Sequence, residues 1–225
     1  MKNLCLIVLL LATVRAFAQS ERVTDFGAIV SAEASAGLGG PFGLSVEEEL
    51  RFRNNCTQFD RWLNSVGVDY SCLHNRLNLG LAVDYICRYN DRGYYENRGR
   101  LGAQATYTEE YRQFKFQVRT KLIGTFLDPA TGEHRFNPKL YCRNRLKVNW
   151  QPINSRFKYA LSTELFWLIN DPRGSYVDNL RTVLSVDYRL SRRYWLSGFV
   201  RMDNDLQVKE PVDRFYLGLT LKGKY

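Results

Sequence analysis

The chain has 225 residues, with 32 Lys and Arg against 23 Asp and Glu, two histidines and five cysteines. That length suits a single domain. The basic residues recur at alternate positions instead of clustering, which argues against a nucleic-acid patch. With two histidines and no CxxC spacing, the sequence offers no metal centre, and it has no glycine-rich phosphate loop and no cofactor motif.

At the start, Lys2 precedes an apolar run over residues 4–14 and then Ala16-Phe17-Ala18. A basic start, a short apolar stretch and a small-x-small site predict a secretory signal peptide over residues 1–18, cleaved before Gln19. Residues 19–225 then form one domain. The apolar run is too short to cross a bilayer comfortably as a helix. Cys5 lies inside it and not at the cleavage point, so a lipid anchor is not expected. Loss of Lys2 and Arg15 from the 32 basic residues leaves 30 against 23 acidic ones, a formal charge of +7.

Beyond the leader, hydrophobic alternation repeats almost to the last residue. Residues 28–36 place Ala28, Val30, Ala32, Ala34 and Ala36 on one face, and the glycines and proline of residues 37–41 break the strand. Residues 42–53 set Phe42, Leu44, Val46, Leu50 and Phe52 against Glu47, Glu49, Arg51 and Arg53, with Glu48 an unexplained acid on the apolar face. Residues 58–70 alternate more weakly. The clearest strand is residues 76–90, where Leu77, Leu79, Leu81, Val83, Tyr85, Cys87 and Tyr89 oppose Arg76, Asn78, Asp84, Arg88 and Asn90, and Ile86 is the misfit. A helical period would put Asp84 and Arg88 on the stripe of Leu77 and Leu81, so a period of two fits better.

Residues 99–111 and 114–126 are separated only by Arg112-Gln113 and predict a tight hairpin. Residues 140–150, 157–169, 178–190, 194–202 and 213–225 continue the pattern, although Trp195 and Phe199 blur one of them. Short connections near 71–75, 112–113, 151–155 and 191–193 alternate with longer polar ones at 91–98, 127–139, 170–177 and 203–212. Aromatic residues gather near strand ends.

These features predict an all-β fold: an antiparallel transmembrane β-barrel of about 10–12 strands, with short periplasmic turns and longer extracellular loops. The segments number eleven, whereas single-chain bacterial barrels have an even count. Twelve strands, with a short extra one over residues 20–27, is preferred to ten. The alternative is a soluble exported sandwich or ligand-binding barrel with its apolar face inward. Cys56, Cys72, Cys87 and Cys142 fall where pairing is geometrically awkward and are read as free or buried.

The stretch Leu44-Ser45-Val46-Glu47-Glu48-Glu49-Leu50-Arg51-Phe52-Arg53, together with Phe59-Asp60-Arg61-Trp62, Arg88-Tyr89-Asn90 and Arg98-Gly99-Arg100, resembles the outer-membrane family DUF2490. The resemblance covers nearly the whole mature chain. It implies a barrel in the outer membrane of a Gram-negative bacterium and brings no activity or catalytic residue with it. The terminal Tyr225 resembles the signal by which outer-membrane proteins are recognised for assembly, which implies the barrel-assembly machinery and outer-membrane lipid as partners.

The residues expected to face a lumen are Glu47, Glu49, Arg51, Arg53, Arg76, Asp84, Arg88, Arg100, Glu110, Lys115, Arg119, Lys121, Arg143, Arg145 and Lys147. They could pair across strands and plug the interior, giving a closed structural barrel that acts through its loops. They could also leave a net basic constriction, giving a narrow porin-like channel for small anions. The surplus of bases from Lys115 to Lys147 favours the channel. A loop-based hydrolase using His134 with Asp128 or Glu133 is a third reading, disfavoured because no serine stands near it in sequence. No enzyme activity is expected.

Overall fold

A computed structural model describes residues 23–90, 93–127, 137–207 and 211–225. The expected signal peptide lies outside the described residues. The described chain is a meander of long strands: β1 (Val23–Gly39), β2 (Phe42–Arg53), β3 (Gln58–Cys72), β4 (Leu77–Tyr89), β5 (Tyr95–Tyr111), β6 (Phe114–Leu127), β7 (Lys139–Trp150), β8 (Phe157–Leu168), β9 (Tyr176–Arg189), β10 (Tyr194–Asp205) and β11 (Val212–Lys224). Each strand pairs with its chain neighbours, and β1 meets β11 to close the barrel.

Among the described residues the strands number eleven, not twelve. Instead of making a separate strand, residues from Val23 onward continue into β1, because alternation runs unbroken from Phe26 and Ala28 outward and Gly27 and Ile29 inward. An odd count makes the first and last strands run the same way. The closing pair β1–β11 is therefore parallel, in register from Val23↔Val212 to Ser35↔Lys224, while the other pairings are antiparallel. The chain end completes this seam: the Tyr225 N–H donates to Ser35 O at 2.8 Å, and Gly37 N–H donates to Tyr225 O at 3.2 Å.

The apolar set of each strand faces outward. Leu81 is 68% exposed and Val83 59%, whereas Ile86, the misfit of β4, points inward at 1%. Trp195 and Phe199 are inward too. Glu48 stays on the outer wall and has a partner, since Trp62 Nε1–H donates to its Oε1 at 2.9 Å.

One rim carries short turns, at residues 40–41, 73–76, 112–113, 151–156 and 190–193; at the other end lie the turn at 54–57, the connection at 169–175 and the strand ends Tyr89 and Tyr95, Leu127 and Lys139, Asp205 and Val212. The β5–β6 hairpin turns through Arg112-Gln113 as expected, with Tyr111 opposite Phe114 and Arg112 at φ 56°. Two connections are shorter than the sequence suggested. Tyr95–Asn97 already pair with β4, and β10 runs on to Asp205, because the inward Glu96 and Asp203 find arginine partners inside. Eleven strands about 4.8 Å apart and tilted about 45° give a backbone cylinder roughly 24 Å across. The four cysteines of the described chain are free.

Candidate functional site: a divided, charged lumen

The inward face of each strand supplies one column of side chains, and these columns line two cavities stacked along the barrel. The cavity toward the short-turn rim has a volume of about 370 Å³, and the one toward the long-loop rim about 380 Å³. Both touch Arg51, Arg61, Arg100, Arg143, Phe166 and Arg181, so these side chains form the partition between them. Stacking on aromatic rings holds several of the guanidinium groups. Arg143 and Arg181 lie 4.2 and 4.7 Å from the centre of the Phe166 ring, and Arg51 and Arg201 lie 5.3 and 5.2 Å from that of Tyr216.

The two halves handle charge differently. On the long-loop side, arginines and acids are interleaved and paired. Asp60 takes Arg61 at 2.7 Å and Arg88 at 3.6 Å, Glu96 takes Arg98 at 2.8 Å, and Asp205 takes Arg214 at 2.9 Å. Asp203 accepts from Arg181 Nε at 2.8 Å and from Arg201 Nε at 2.9 Å. Tyr141 donates to Asp178 at 3.2 Å. Arg53 belongs to this half and donates to Tyr89 O at 3.4 Å.

On the short-turn side the signs are segregated across the barrel. Strands β6 and β7 place Lys121 opposite Arg143 and Arg119 opposite Arg145, two like-charge pairs in direct register. Such pairs repel. Across the lumen, Glu33 stands opposite Glu47 on β1 and β2, and Glu49 is held by Arg51. The excess of bases is similar in the two cavities, eleven Arg or Lys against five Asp or Glu here and ten against four on the long-loop side, so the halves differ in how the charges are arranged.

Compensation is incomplete. Glu164 accepts from Arg119 at 2.6 Å and from Arg143 at 2.8 Å. Asp187 serves Lys158 and Lys222, each at 3.1 Å. Among the described residues, no carboxylate lies within ion-pair distance of Arg100, Lys121, Arg145 or Lys147. The Nε atoms of Arg100 and Arg145 are buried without a hydrogen-bond partner. Asp84 is engaged instead by the Ser65 hydroxyl at 2.7 Å. Gly102 leaves room for this arrangement, because a Cβ there would sit 2.7 Å from Lys121 Cε.

Of the residues singled out in the sequence, twelve line these two cavities and three, Arg76, Glu110 and Lys115, lie outside them. Arg76 precedes β4, is 60% exposed and lies 3.5 Å from Glu109, while Lys115 and Glu110 pair at 2.9 Å at the rim. The reason is overhang: β4 pairs with β5 only as far as Leu77↔Tyr107, so the end of the β5–β6 hairpin projects beyond its neighbour. Alternation continues there without an enclosing wall. His134, with Asp128 and Glu133, lies outside the described residues.

Sequence reasoning left Asp60, Arg61, Glu96, Glu164 and Arg201 out of the site. Glu164 and Arg201 were visible as polar members of alternating strands, yet their importance depends on strand neighbours. Asp60 was hidden by a register shift between Arg51 and Phe52, which lets Asp60 and Arg61 both enter the lumen.

A family model described as "Protein of unknown function (DUF2490)" matches residues 26–208, from within β1 to beyond the end of β10. No curated protein matches the chain.

Proposed function

Because the chain belongs to the DUF2490 family, whose description names no activity, its walls are the available guide, and we propose that it is a non-enzymatic outer-membrane barrel forming a narrow, anion-preferring channel. The membrane reading draws on the outer wall. Its large apolar side chains are exposed along every strand. Several polar groups that interrupt it are paired within it: Trp62 with Glu48 at 2.9 Å, Tyr85 with Asn97 at 2.8 Å, and Thr120 with Asn144 at 2.9 Å. Hydrocarbon imposes that requirement, whereas water does not. Short turns on one rim and longer loops on the other fit the periplasmic and extracellular sides.

The observation that carries the channel reading is the uncompensated wall of β6 and β7. Four cations crowded in register around a single bridging acid, Glu164, create a positive field inside a low-dielectric tube, which raises the local concentration of small anions. Glu33 and Glu47 on the far wall make that field transverse and draw the anion path toward β6 and β7.

Planar-bilayer recording of the purified protein tests this. Anion-selective current that falls, with its selectivity, in Arg143→Gln and Arg145→Gln supports the channel. Absence of current, or a cation preference indifferent to both substitutions, overturns it. A second reading, a closed structural barrel, is favoured by the interleaved ion pairs of the long-loop half, and absence of current is its expected result.

A further inference from the structure

The four cations Arg119, Lys121, Arg143 and Arg145 occupy the corners of a rectangle on the inner face of β6 and β7. In register, Lys121 faces Arg143 and Arg119 faces Arg145. Glu164 reaches in from β8 and bridges one diagonal, Arg119 at 2.6 Å and Arg143 at 2.8 Å. The other diagonal, Lys121 with Arg145, has no carboxylate within ion-pair distance among the described residues. The Nε of Arg145 is buried without an acceptor, as are those of Arg119 and Arg143, but Arg145 has no carboxylate among the described residues on its terminal nitrogens either. Lys121 and Arg145 line the same cavity, and Glu164, the register partner of Arg145 on β8, is engaged by Arg119 and Arg143, so donors from both are available to one compact anion.

We infer that Lys121 and Arg145 form a binding site for a divalent tetrahedral oxoanion, a phosphate group free or carried on a small ester, on the short-turn side of the partition. It occupies for this diagonal the role that Glu164 plays for the other. A divalent oxoanion suits the site better than chloride for two reasons. Several oxygens can accept from a guanidinium fork and an ammonium together, and two charges offset two unpaired cations. Lys147, also without an ion-pair partner, lies on the same inner face of β7 and adds to the attraction. The site rests on the reading of the lumen as open to solvent from the short-turn rim.

The test is calorimetric titration of the folded, detergent-solubilised protein with inorganic phosphate, glycerol phosphate and chloride at matched ionic strength. Saturable phosphate binding is expected. It should weaken at least about tenfold in Lys121→Gln and in Arg145→Gln, the worth of one charge-assisted hydrogen bond. Arg76→Gln, in a turn outside the lumen, should bind as the parent does. Folding of each variant is checked by heat-modifiable gel mobility. In phosphate-free, low-salt buffer both lumen variants should unfold at higher temperature than the parent, because one crowded charge is gone.

Phosphate binding no tighter than chloride overturns the site, as do folded variants that bind phosphate like the parent. Glycerol phosphate that binds as well as inorganic phosphate assigns the site to a phosphoryl group on a solute; binding of the inorganic ion alone assigns it to the free ion. A barrel that binds phosphate and passes no current would overturn the channel and leave the site. A conducting barrel with no phosphate preference would do the reverse.

Discussion

The ring of Tyr216 lies against the backbone of Gly27, its register partner across the parallel β1–β11 seam. A Cβ on Gly27 would meet Tyr216 Cε1 at 2.6 Å and the carbonyl oxygen of Phe52 at 2.3 Å. The missing side chain is thus the slot into which the ring fits. Tyr216 is 3% exposed, with Arg51 and Arg201 stacked at 5.3 and 5.2 Å, so the seam is tied to the partition of the lumen. Gly27→Ala should force this contact apart at a cost of about 1–3 kcal/mol, the usual penalty for overpacking. The temperature at which gel mobility shifts should fall accordingly. Gly37→Ala, where a Cβ would meet nothing within 4 Å, should leave it nearly unchanged.

Glu48 supplies a test of which side meets lipid. It sits on the outer wall between Phe42 and Phe52, opposite Ala32, and its acceptor is served by the Trp62 indole at 2.9 Å. Trp62→Phe should leave the carboxylate unsatisfied in hydrocarbon and lower stability by about 1–3 kcal/mol. Glu48→Leu should be stabilising in liposomes, and the double variant should recover what Trp62→Phe loses. If the outer wall met water, Trp62→Phe would change stability by less than about 0.5 kcal/mol.

Glu164 is the carboxylate on which the basic wall depends, 5% exposed and bound to Arg119 at 2.6 Å and Arg143 at 2.8 Å. Glu164→Gln keeps the shape and removes the charge, leaving two buried guanidinium groups without an anionic partner. Breaking a buried ion pair in this way costs about 3–5 kcal/mol. Denaturant unfolding should show that loss, and added phosphate should return part of it by supplying negative charge to the same cations. In bilayers the variant should be more anion-selective than the parent.

Strand order and facing were legible because period-two alternation is strong wherever one face of a sheet is apolar: β2 begins and ends where residues 42–53 do. What the alternation could not show was partnership. Glu48 read as an anomaly because its indole partner stands on the next strand, and Glu164 was passed over because its importance lies in the two arginines it bridges. Irregularities were hidden for the same reason. The register shifts at Arg51/Phe52 and Phe166/Trp167 change which residues face inward without any glycine or proline to mark them. The parallel seam follows from the strand count, and one short segment was enough to leave that count ambiguous. The overhang of the β5–β6 hairpin depends on relative strand lengths, which a single strand's pattern does not contain.

Ionic strength separates a field effect from a sieving effect in this lumen. If selectivity arises from the uncompensated charges of β6 and β7, it must weaken as mobile ions screen them. The screening length falls from about 10 Å at 0.1 M salt to about 3 Å at 1 M, from comparable to the lumen radius to well below it. The ratio of anion to cation permeability should therefore decline steeply over that range and approach unity at the high end. Lys121→Gln/Arg145→Gln should start from a lower ratio and change less, because the source of the field has been reduced. In the long-loop half most arginines are held in interleaved ion pairs, such as Arg98 with Glu96 at 2.8 Å, and should add less to the salt dependence. Arg53→Gln should therefore follow the parent's curve. A permeability ratio that holds constant from low to high salt would assign selectivity to pore size, and the basic wall would then have no part in it.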